Sequence, residues 1–184
     1  MKTASKPAIT VDEFLAWSEG QERGRFELFA GEIVMQQSER IAHVSVKGNI
    51  YVALRNAIAQ AGLKCSALMD GATVRIEDDT AFEPGALVYC GERVPGSSLE
   101  VPNPVTVVEV LSASSAAQDM GYKRRGYFSL PSVQHYLVAD SERRLVLHYA
   151  RGDGHEQLPR ILSEGSLTLD PPGLELKVSE LFSG

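Results

Sequence analysis

The 184 residues are 43% hydrophobic and 23% charged, which suits one globular unit with a sizeable core. The formal charge of −6 and a pI near 5.3 argue against a strongly basic nucleic-acid binder. No apolar run approaches the roughly 20 residues of a membrane helix. "MKTASKPAIT" has no apolar stretch of the kind that follows the lysines of a secretory signal, so the cytoplasm is the expected location.

In chain order, residues 1–9 read as a flexible tail. "TVDEF" then opens a short helix, with Thr10 and Glu13 at capping-box spacing and Phe14 and Trp17 on one face. Residues 25–36 alternate around Ala30-Gly31 and predict a β-hairpin. Residues 39–61 carry Ile50, Leu54, Ala57, Ile58 and Ala61 at helical spacing, with Gly62 as a C-cap. "KCSALM", "ATVRIE" and "AFEPGALVYC" are strand-like and separated by "DG" and "DD" turns.

The Gly-, Pro- and Ser-rich segment 91–104 reads as a surface loop. "VTVVEVLS" is then nearly all apolar and β-branched, the pattern of a central strand buried on both faces. "SSAAQDMGYKRRGYFSL" predicts a helix stopped by Pro131. "VQHYLVAD" and "RRLVLHYAR" predict two strands joined by the "DSER" turn. "RILSEGSLTLD" fits a small hairpin, and "LELKVSELF" a strand and a terminal helical turn. The order implies an α/β (α+β) fold, a mixed sheet flanked by helices, in a single domain over 1–184.

Cys65 and Cys90 sit in apolar strand patterns, which predicts buried free thiols. With no CxxC or HxxxH spacing, a structural zinc site is not expected. His135 and His148 lie in strand patterns and read as structural. Trp17 and the tyrosines 122, 127 and 136 read as core or interface.

Glu109 interrupts the most apolar strand at one position. An ionised carboxylate there is costly unless it is paired or binds a metal, so it is either a buried ion-pair partner or a functional acid. Asp119 and Lys123 share a face of the following helix, which alone describes a surface ion pair. Beside Glu109, the same lysine could stabilise charge on a phosphate. The expected arrangement is an open pocket shared by Glu109 and Lys123.

These stretches in order ("FELFAGEIV", the helix at "HVSVKGNI", "FEPGALVYC", "VVEVLSASS", "DMGYK", "GYFSLPSVQHYLVAD") resemble the Uma-type putative restriction endonucleases of the PD-(D/E)XK nuclease superfamily. The resemblance runs from residue 10 to residue 150 and onward toward the C-terminus. It implies a restriction-endonuclease-like fold, a DNA substrate, Mg²⁺ or Mn²⁺, and a homodimer. It places the family's strand acid at Glu109, its helix lysine at Lys123 and an acidic neighbour at Asp119. Glu32 is the best match for an assisting acid from the early hairpin, with Glu27 second, and His43 stands where the family commonly has a histidine.

The chain departs from that family at two places. Gly85 follows Pro84 where the metal-binding aspartate is expected, and Ala113 stands where a proline is usual. Losing one carboxylate should weaken Mg²⁺ binding severely. Three accounts fit Gly85: a catalytically silent relative, takeover of the ligand role by Glu83 or Glu32, or a glycine introduced during cloning. Glu83 shares a strand face with position 85 but starts about 7 Å away.

The leading expectation is therefore a Mg²⁺-dependent DNA endonuclease whose activity Gly85 puts in question. The alternative is a silent DNA-binding or protein-interaction module on the same fold. Either the "VPNP" loop or the "VQHYLV" region would supply a dimer interface. A serine hydrolase using "LSASS" is disfavoured by the absence of GxSxG.

Overall fold

The computed structural model describes residues 8–111, 118–152 and 158–183, and at 118–120 the backbone only. The apolar run around Glu109 forms β7 (Pro104–Leu111), buried along almost its whole length. It pairs antiparallel with β6 (Ala86–Cys90) and parallel with β8 (His135–Asp140). The sheet is extended on one side by β3 (Cys65–Met69), and on the other by β9 (Leu145–Ala150) and β10 (Arg160–Leu162). The six-stranded order is β10-β9-β8-β7-β6-β3, so β7 has neighbours on both edges and apolar layers on both faces.

One layer is built by α2 (Ile41–Ala61), whose Val46, Ile50, Ala53, Leu54, Ala57 and Ile58 recur at three and four residues and are buried. Gly62 closes that helix in the left-handed conformation, φ 63°, with its N–H on the Ala59 and Ile58 carbonyls. The same layer receives Val108 and Val110 of β7, the hairpin of β11 (Ser166–Leu169) with β12 (Leu174–Lys177), and α4 (Val178–Leu181).

The opposite layer receives Val107 and the aromatic side chains Phe82, Tyr127, Tyr136 and Tyr149. It also takes in residues of a second, four-stranded antiparallel sheet. That sheet contains β1 (Phe26–Phe29), β2 (Glu32–Met35), β4 (Val74–Glu77) and β5 (Thr80–Phe82), in the order β2-β1-β5-β4. Ahead of it, α1 (Val11–Glu19) starts with the expected capping box between Thr10 and Glu13. The β1–β2 hairpin turns at Ala30-Gly31, both at positive φ. The parallel β7–β8 pair requires a crossover. This includes a π-helical segment, Gln118–Lys123, leading into α3 (Arg124–Ser129).

Several expectations change. The run "AFEPGALVYC" is two strands in different sheets, and Glu83, Pro84 and Gly85 are the connection between them. Cys65 and Cys90 are register partners on β3 and β6 and form a disulfide, not free thiols. Facing positions in an antiparallel pair bring two side chains together, and the 25-residue separation concealed that pairing. Strand β8 lies buried between β7 and β9 and cannot provide an interface. "RILSEGSLTLD" does not fold on itself, because β10 joins β9 and β11 joins β12. Ile9, placed within the expected tail, donates to the Gly31 carbonyl at 3.3 Å, and residues 1–7 lie outside the described ones. Among the described residues, no helix is long and apolar enough to cross a membrane.

Candidate active site

Side chains alternate along β7. Val108 and Val110 face the α2 layer, so Glu109 faces the aromatic layer with Val107. The crossover places Lys123 at the junction of the π-helical segment and α3, with Tyr127 one helical turn later. Lys123 Nζ lies 3.1 Å from Glu109 Oε1, and Tyr127 Oη donates to the same oxygen at 2.9 Å. From the second sheet, β1 delivers Glu27, whose Oε1 is 2.8 Å from Lys123 Nζ. That oxygen also accepts the Glu83 N–H at 2.8 Å, and Glu27 Oε2 accepts from Gln36 Nε2 at 2.5 Å.

The centre is closed. Glu27, Glu109 and Lys123 are 2%, 6% and 5% exposed, so Glu109 and Lys123 meet as anticipated but in a buried cluster, not an open pocket. Burial pushes the Glu27 carboxyl above its ordinary value. Lys123 opposes that shift, the Glu109 charge adds to it, and the Glu83 N–H opposes it more weakly. Burial also pushes the Tyr127 phenol well up, helped by the charge on Glu109, which keeps its hydroxyl a donor.

A second charged cluster, in which Lys47 is buried and its partners are partly exposed, adjoins the first through Glu83. Lys47 Nζ lies 2.6 Å from Glu39 Oε1 and 2.8 Å from Asp70 Oδ1. Arg25 reaches the same two acids at 2.6 and 2.9 Å, and stands 3.6 Å from Glu83. Burial pushes Glu39 up, but hydrogen bonds from Lys47 and Arg25 outweigh it and hold the carboxyl below its ordinary value. Burial raises the Glu83 carboxyl, with Arg25 and the Gly71 N–H, which donates to it at 2.9 Å, pulling the other way. His43 is buried, 3.7 Å from Glu39, and burial lowers its pKa.

A family model described as Uma2, putative restriction endonuclease, matches residues 11–180. The chain belongs to this family. It is 27% identical over 184 residues to the uncharacterized protein slr1290 of Synechocystis sp. (strain ATCC 27184 / PCC 6803 / Kazusa), covering 99% of this chain and 95% of that one. It is 32% identical over 93 residues to the uncharacterized protein sll1609 of the same organism, 49% of this chain and 52% of that one. A crystal structure of a putative nuclease belonging to DUF820 from Anabaena variabilis ATCC 29413 superposes with a TM-score of 0.70 at 16% identity. The match covers 95% of this chain and 97% of that one, and it shows a shared fold.

Within this family member, the hairpin acid beside Lys123 is Glu27, not Glu32. Glu32 is exposed on the outer strand β2, where it pairs with Phe29. The two candidates are five residues apart on opposite arms of one hairpin, and only the inner arm, β1, faces the core. Asp119 lies within the π-helical backbone, but its side chain is outside the described residues, as is Ala113. Sequence reasoning missed Lys47, Arg25, Glu39, Asp70 and Gln36, and assigned Tyr127 only to packing. Two signals were present: Tyr127 is four residues after Lys123, and Lys47 sits on the buried stripe of α2, four before Tyr51 and three before Ile50.

The donors do not fit a divalent ion. Glu109 Oε1 and both Glu27 oxygens carry hydrogen bonds from protein groups, Glu83 is engaged by Gly71 and Arg25, and position 85 has no side-chain oxygen to offer. Among the described residues, no group of three or more His, Cys, Asp or Glu is placed to hold a metal ion. The hard-oxygen site that Mg²⁺ demands is thus not assembled by this side-chain arrangement.

Proposed function

We propose that the chain is a DNA-directed member of the restriction-endonuclease family in which metal-dependent phosphodiester cleavage has been lost, leaving a nuclease-fold module. The observation that carries this reading is the state of the acidic centre. Position 85 is glycine, and the remaining acids, Glu27 and Glu109, are bridged by Lys123 and screened from solvent. In this reading Lys123 neutralises one of two crowded carboxylates. Burial displaces the Glu27 carboxyl upward, and the nearby Glu109 charge adds to that shift against the pull of Lys123. Takeover by Glu83 is disfavoured by its bonds to Gly71 and Arg25.

The ancestral chemistry under this proposal is Mg²⁺- or Mn²⁺-assisted hydrolysis of DNA by a homodimer. The test is supercoiled-plasmid nicking with each ion, run beside duplex-DNA binding in EDTA and sedimentation velocity. Binding without nicking is the expected outcome. Ion-dependent nicking that Glu109→Gln abolishes would establish an active endonuclease and reject the silent reading. Absence of both binding and nicking would reject DNA as the partner.

A further inference from the structure

Gly85 is buried immediately before the Ala86–Val108 register pair, beside the strand that carries Glu109. A Cβ placed on Gly85 would lie 3.1 Å from Lys47 Cε, 3.6 Å from Lys47 Cδ and 3.4 Å from the Val108 carbonyl. A side chain at 85 would therefore press on the stem of a lysine from a different element, α2, which would have to give by a few tenths of an ångström. That lysine is itself unusual. It is 5% exposed on the apolar stripe of its helix, and its ammonium is fixed between Glu39 and Asp70. A buried ammonium with two carboxylate partners is retained only where those partners hold it.

We infer that Lys47 and Gly85 form a matched pair in which a tethered ammonium stands beside the place a carboxylate at position 85 would take, so that restoring the aspartate alone cannot restore a metal site. The inference rests on the proposed loss of metal-dependent cleavage. The side chain introduced by Gly85→Asp would begin within contact of Lys47 Cε, one bond from the ammonium. Its carboxylate would meet a positive charge already in place, and a divalent ion would have to displace that charge before binding. Removing the ammonium while adding the carboxylate leaves the new acid, Glu39 and Asp70 with one fewer resident cation, Arg25 still reaching the last two, and lower positive charge is the condition a hard divalent ion favours.

The experiment measures Mn²⁺ binding, by calorimetry and by the electron paramagnetic signal of free Mn²⁺. The proteins are the full chain, Gly85→Asp, Lys47→Met and the double variant, each checked for fold by circular dichroism. The double variant is expected to bind Mn²⁺ at least about tenfold more tightly than the parent or either single variant, a step typical of groups that tune a metal site from outside it. If Gly85→Asp alone binds as tightly as the double variant, Lys47 is no obstacle and the inference is overturned. Equally tight binding by the parent, or by Lys47→Met alone, overturns it as well. The plasmid-nicking result judges the silent reading separately in every case.

Should Lys47→Met fail to fold, thermal melting of Gly85→Asp against Gly85→Asn in metal-free buffer decides. The aspartate form is expected to melt several degrees higher through its attraction to Lys47, with the gap shrinking in high salt. Equal or reversed order refutes the pairing.

Discussion

Replacing Lys123 by methionine would remove the one ammonium shared by two buried acids while keeping most of the apolar stem. Lys123 Nζ is 2.8 Å from Glu27 and 3.1 Å from Glu109, and all three residues are at most 6% exposed. Breaking a buried pair by deleting one partner costs roughly 3–5 kcal/mol. At roughly 2–4 °C per kcal/mol for a chain of this size, the melting temperature should fall by about 10 °C. The loss should depend on pH. Without Lys123, burial and the Glu109 charge remain to raise the Glu27 pKa further. A carboxyl whose folded-state pKa exceeds its unfolded value holds an extra proton in the folded state. Its stability contribution is complete below the unfolded value and is lost as pH rises through the folded one. The variant's deficit should therefore be largest near pH 8 and shrink toward pH 5. Thermal melting of both proteins across that range is the assay. An unchanged melting temperature at pH 8, or a deficit that does not vary with pH, would refute the claim that Lys123 holds two ionised acids together.

Tyr127→Phe removes the 2.9 Å hydrogen bond to Glu109 and should cost roughly 1.5–3 kcal/mol in urea unfolding, as for hydrogen bonds to charged groups. His148, whose Nε2 is 2.9 Å from His135 Nδ1, has its pKa lowered to about 4 by burial and by the neighbouring His135 and Arg160. Its folded form resists protonation, so stability should fall as pH drops from the unfolded value toward 4, by an amount on the order of 3 kcal/mol when complete. Urea midpoints from pH 7 to pH 4.5 should show that slope, and His148→Gln should flatten it. Thiol titration in denaturant without reductant should find no free thiol at Cys65 or Cys90. Reducing the disulfide across its 25-residue separation should cost about 3 kcal/mol.

Elements whose cause is local were legible along the chain. The α1 capping box needs only Thr10 and Glu13, and the Gly62 cap needs only a residue that accepts positive φ. The β1–β2 hairpin follows from its turn residues, and β7 from a run of β-branched side chains too long and too apolar for an edge. Even the meeting of Glu109 with Lys123 could be anticipated, because a lone carboxylate in such a strand requires a partner and the following crossover offers one nearby in sequence.

Contacts between distant elements were not legible. Whether Glu27 or Glu32 faces the core depends on which arm of the hairpin lies inward, and β1, not β2, pairs with β5. The Cys65–Cys90 bond depends on the register of β3 against β6. The placing of the Lys47 stem where a side chain at 85 would begin depends on how α2 is set against the β5–β6 connection, and no spacing in the sequence encodes that distance. The sequence by itself determined which residues must be buried and which backbone conformations their neighbours adopt, because those depend on short-range sterics and apolar periodicity. Only the tertiary structure decided which buried charges share a cation, because ion pairing is set by separations of a few ångströms between atoms that packing, not chain order, brings together.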